Sequence, residues 1–61
     1  MKLKNLVGKK VLLVPRYNRD GQTGKLQYDH DGFYSVAGLS FEPDEVTRVK
    51  RGNPPVIILG N

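Results

Sequence analysis

Cysteine is missing from the 61 residues, which excludes a disulfide framework and any thiolate metal site. Histidine occurs once, as His30, so no zinc pattern can be assembled and no metal site is implied. No apolar run approaches the roughly 20 residues of a membrane span, and Met1-Lys2-Leu3-Lys4-Asn5-Leu6-Val7 is charged without the apolar stretch of a signal peptide. No helix of ordinary length, internal repeat or low-complexity segment is visible. A nucleophile–base pair or a carboxylate constellation of recognisable spacing is missing too. These absences leave a single small domain over residues 1–61, soluble and cytoplasmic, without membrane partner or cofactor, that binds something and is not an enzyme. At this length its core must be thin.

What the chain does have is charge, unevenly placed. Ten Lys and Arg stand against six Asp and Glu, a net +4. Residues 1–25 hold seven basic side chains and only Asp20, a balance of +6, whereas residues 26–45 hold Asp29, Asp31, Glu42, Asp44 and Glu45 and no basic residue. Arg48, Lys50 and Arg51 follow. Folding either lays the acidic middle beside the basic ends or leaves a positive face that attracts phosphates.

The apolar pattern is that of strands. Lys9-Lys10-Val11-Leu12-Leu13-Val14-Pro15 is too short for a stable helix, and its alternate residues are apolar on both faces, so both need cover. Arg16 to Gly21 reads as a polar loop ending in the turn pair Asp20-Gly21. Thr23–Asp29 alternates as a second strand, Asp29-His30-Asp31-Gly32 is a hairpin connection, and Phe33–Gly38 returns with Tyr34 and Val36 inward. Leu39-Ser40-Phe41 is a short fourth element. Glu42-Pro43-Asp44-Glu45 suits one 3₁₀ turn, because proline cannot donate to a ladder and acids favour a helical N-terminus. Val46–Val49 is a fifth strand, residues 50–55 form a short linker, and Val56-Ile57-Ile58-Leu59 is a C-terminal strand. Apolar on both faces, that last segment must pair, either against residues 3–7 or by strand addition to a second copy, as a homodimer through residues 56–59.

Five or six short strands with one 3₁₀ turn before the fifth, and glycines at the bends, describe an all-β fold of the SH3-like barrel type. Gly8-Lys9-Lys10-Val11-Leu12-Leu13-Val14 with Gly21-Gln22-Thr23-Gly24-Lys25-Leu26 resembles the KOW motif of NusG-type transcription factors and certain ribosomal proteins. Tyr34-Ser35-Val36 with Phe41-Glu42-Pro43-Asp44-Glu45-Val46 is similar to the small SH3-like subunit on the stromal side of photosystem I, a family that docks onto other proteins. Both resemblances imply the same fold and different partners.

Candidate site residues follow from charge and ring chemistry. Tyr17 lies between Arg16 and Arg19, an arrangement in which a ring can stack on a base while guanidiniums meet phosphates; a solvated loop with the ring clamping the barrel edge is the alternative. Tyr28, Tyr34 and Phe41 read as core aromatics. Asp29-His30-Asp31 reads as a solvated turn, and Gly21-Gln22-Thr23-Gly24 as a bend that lets strands pack closely, since a phosphate loop of the Walker type needs Gly-Lys-Ser/Thr and a following helix.

The expected function is DNA, RNA or nucleoprotein binding by phosphate neutralisation, through Lys9, Lys10, Arg16, Tyr17, Arg19 and Lys25, with Arg48, Lys50 and Arg51 on the neighbouring strand. The alternative is a docking adaptor that meets an acidic protein with the same face, or that adds a strand to a partner.

Overall fold

The computed structural model describes residues 2–16 and 20–60, and 46% of these lie in strands. In chain order a 3₁₀ turn (Leu3–Leu6) leads into β1 (Lys10–Val14), β2 (Gln22–Lys25), β3 (Gln27–Tyr28), β4 (Tyr34–Val36) and β5 (Leu39–Phe41). A second 3₁₀ turn (Pro43–Glu45), β6 (Val46–Lys50) and β7 (Val56–Leu59) complete it. The strands form two sheets, β2-β1-β7-β6 and β3-β4-β5, which are not closed into a barrel. The domain is a small all-β fold, with seven strands among the described residues rather than five or six.

The extra strand comes from a corner. The expected strand over Thr23–Asp29 breaks at Leu26, which is fully buried while its N–H donates to the Lys9 carbonyl and its carbonyl accepts from the Gly8 N–H. The chain therefore leaves one sheet and enters the other at Leu26, and alternation alone does not show where a strand bends. At the preceding bend Gly21 has φ +71°, and a Cβ there would sit 3.0 Å from the Leu13 carbonyl oxygen, so any side chain would be both strained and crowded. Gly24 packs close to β4, where a Cβ would meet the Ala37 nitrogen at 3.3 Å and Val36 Cγ1 at 3.4 Å, so strands approach there as expected, although residues 22–24 belong to β2 and are not a bend.

Residues 56–59 form a strand, but not in either expected pairing. Residues 3–6 are a 3₁₀ turn, and β7 lies inside its sheet, parallel to β1 and antiparallel to β6. Both edges of β7 are taken, so it offers no free edge for addition to a second copy. Nor does Pro54-Pro55 hold it clear of the body: Arg51–Pro55 is the loop of a β6–β7 hairpin, with a cis Asn53–Pro54 bond. A small core gains most by placing its most apolar strand centrally, where both neighbours cover it.

Leu6, Val11, Leu13, Leu26, Tyr34, Val36, Phe41 and Ile57 make the core, with Leu3, Val46, Val49 and Leu59 packed at its margin. A bulge between Val46 and Arg48 lets Val46 and Val49 both face inward, and the Thr47 hydroxyl there donates to the Ile58 carbonyl at 3.1 Å. Tyr34 and Val36 are inward as expected. Tyr28 is not a core aromatic: it stands on a two-residue edge strand and is 53% exposed.

The 3₁₀ turn before Val46 matches its sequence reading and is closed by a capping box between Glu42 and Glu45. The Asp29–Phe33 connection is the expected turn, with Gly32 at φ +91° and the Asp31 N–H donating to Asp29 Oδ1 at 3.0 Å.

Candidate functional site

Strand register places the cations. In the β1–β2 ladder Lys10 is the Cα partner of Lys25, and Leu12 that of Thr23. Leu12 also faces Val56 on β7, and Val56 faces Lys50 on β6; one step further Val14 faces Ile58, and Ile58 faces Arg48. Because Val11, Leu13, Ile57 and Val49 occupy the alternate positions toward the core, Lys10, Lys25, Arg48 and Lys50 share the outer face of the four-stranded sheet. Among the described residues that ladder brings no carboxylate onto this face.

The face has two ends. Lys10, Lys25 and Lys50 gather at the end where β1 begins, and the exposed Lys9 and Arg51 adjoin them in the chain. Lys10 and Lys50 are separated by two strand spacings, about 10 Å, and a two-residue offset. Arg48 and the exposed Arg16 mark the other end, where β1 finishes. The acidic turn Pro43–Glu45 lies at that far end too, tied there by a hydrogen bond from the Gly60 N–H to the Glu45 carbonyl at 2.9 Å. The acids of this turn therefore share an end with Arg48 and Arg16, while Lys10 and Lys25 stand at the opposite end. Tyr17 and Arg19 lie outside the described residues.

Between the cationic edges runs an aliphatic strip. Leu12, Val14, Val56 and Ile58 are half-buried on the outer face and do not belong to the core or its margin. Sequence reasoning required cover for this face of β1; among the described residues no second layer of strands supplies it.

A feature that the sequence reading missed is a cleft of about 440 Å³ between the first 3₁₀ turn and the β3 edge, lined by Lys4, Val7, Tyr28 and Tyr34. Tyr28 and Tyr34 are cross-strand partners with ring centroids 5.0 Å apart, and Tyr34 in turn stacks on Phe41 at 6.0 Å. The aromatic row runs from the core outward and ends at Tyr28 because, among the described residues, β3 has no further strand beside it. The available signal was the position of Tyr28 one residue before a turn, where a strand has little length left to cover a ring.

Among the described residues no group of three or more His, Asp and Glu side chains gathers to hold a metal ion, and no helix is long and apolar enough to cross a membrane. No protein-family model, curated protein or solved structure matches the chain.

Proposed function

We propose that this domain is a non-catalytic module that binds nucleic acid on the outer face of its four-stranded sheet, at the end where Lys10, Lys25 and Lys50 gather. The register of Lys10 opposite Lys25 carries the reading. Like charges directly opposite one another oppose folding by up to about 1 kcal/mol, and a phosphate between them converts that repulsion into attraction while releasing counterions. The stretches that resemble a KOW motif support it, since they fall on β1, β2 and their flanks and contain Lys9, Lys10 and Lys25.

Fluorescence anisotropy of labelled single- and double-stranded DNA and RNA, repeated over a range of salt, tests the proposal. Replacing Lys10 and Lys25 with Ala should reduce the slope of log affinity against log salt by about 1.4 on a single strand and about 1.8 on a duplex. A protein without measurable affinity for any of these at low salt does not have this function.

The aliphatic strip favours a second reading. Leu12, Val14, Val56 and Ile58 between cationic edges suit an acidic protein segment that also carries apolar side chains. Binding of such a partner that generic DNA and RNA fail to displace would select this docking role over the first.

A further inference from the structure

We infer that the cleft beside β3 is a separate nucleotide-binding contact, taking one base of a single strand against Tyr28 and its phosphate at Lys4. The inference rests on the nucleic-acid reading above and adds to it a site on the other sheet. Three observations converge. Two of the large apolar side chains exposed to solvent, Val7 at 40% and Tyr28 at 53%, line this one cleft. Its volume of about 440 Å³ falls in the range of small-molecule sites, roughly 300 to 1,000 Å³. Among the described residues its lining combines an apolar side chain and two phenol rings with one ammonium and no carboxylate.

The parts have distinct roles. Tyr34 is 8% exposed and fixed by Phe41 behind it, so it acts as a backing wall. Tyr28 leans on Tyr34 at an interplanar angle of 58° and keeps its remaining surface open, which gives a base a ring already positioned by a neighbour. Val7 closes the apolar side, and its N–H hydrogen bond to the Lys4 carbonyl at 3.4 Å ties it to the turn that carries the cation. An aromatic group bearing negative charge fits this set, and a nucleotide supplies both.

The cleft also adjoins the cationic end of the four-stranded sheet. The Gly8 N–H and Lys9 carbonyl bond to Leu26, so Val7–Lys9 runs alongside the corner that joins Lys25 to Tyr28. Three residue steps separate Lys25 from Tyr28, at most about 11 Å of chain. A strand whose base enters the cleft therefore has phosphates within reach of Lys9, Lys25 and Lys10.

The test compares two labelled probes on the full chain: a single strand of about ten thymidines and an abasic strand of the same length and charge. Tyr28→Ala should weaken thymidine-strand binding about fivefold to a hundredfold, leave the abasic strand unaffected and leave the salt slope intact, and Tyr28→Phe should restore binding. Lys4→Ala should weaken both probes and lower the salt slope by about 0.7. Melting curves of the variants guard against misfolding, since Tyr28→Phe keeps the ring that packs on Tyr34. If Tyr28→Ala binds thymidine strands as the unmodified protein does, while the Lys10 and Lys25 replacements still weaken binding, the cleft is not a base site and the sheet face alone binds. If no probe binds the unmodified protein at low salt, both readings fall together.

Discussion

Lys10 and Lys25 stand directly opposite each other in the β1–β2 ladder, two like charges on one face of the sheet with no carboxylate among the paired residues of that ladder. Replacing Lys25 with Glu converts the repulsive pair to an attractive one. Stability should rise by about 0.2 to 1 kcal/mol, read as a higher melting temperature at low salt and little change at high salt. Nucleic-acid affinity should fall in the same variant. A melting temperature lower than that of the parent would show that the two ammonium groups do not oppose each other.

Ile57 is fully buried on an interior strand and faces Leu13 on β1 and Val49 on β6. Ile57→Ala should cost about 2 to 5 kcal/mol, a large share of the net stability of a domain this size, and should leave most molecules unfolded or melting far lower. Deleting residues 54–61 should unfold the chain, because β1 and β6 lose the strand that joins them. Chemical denaturation followed by circular dichroism checks both.

Gly21 and Gly32 both have positive φ, +71° and +91°, but their surroundings differ. A Cβ on Gly21 meets the Leu13 carbonyl at 3.0 Å and Leu12 Cδ1 at 3.1 Å, whereas one on Gly32 meets nothing within 4 Å. Gly32→Ala should cost only the backbone penalty, about 1 to 2 kcal/mol. Gly21→Ala should cost distinctly more, so equal losses in denaturant titration would contradict the crowding at the β1–β2 bend.

Ala37 has φ +51° and is followed by Gly38 at φ +84°, the pairing of signs required by a type I′ hairpin turn. Alanine has no side chain to satisfy that conformation, and asparagine is the preferred residue there. Ala37→Asn should stabilise the β4–β5 hairpin by several tenths of a kcal/mol, measurable as a rise in melting temperature.

Local features of the fold were legible because they depend on neighbours in sequence. The β1 run ended by Pro15, the turn at Asp29–Gly32, the 3₁₀ turn at Pro43–Glu45 and the inward pair Tyr34 and Val36 each follow from alternation, from a missing donor or from a residue that tolerates positive φ. The same alternation misplaced Tyr28, since a period of two assigns a ring to a face without saying whether anything lies beyond the strand's edge.

The sequence by itself determined the all-β class, the extended character of residues 56–59 and the uneven charge, because strand propensity, apolar content and titratable groups are carried by the residues themselves. Tertiary structure alone decided that β7 lies between β1 and β6, that Leu26 is a corner between sheets, and that Lys10 meets Lys25 while the acids of Pro43–Glu45 sit at the other end. Those outcomes depend on pairing between segments far apart in the chain, where burying the most apolar strand on both edges outweighs the pairings that an apolar tetrapeptide could equally well make alone.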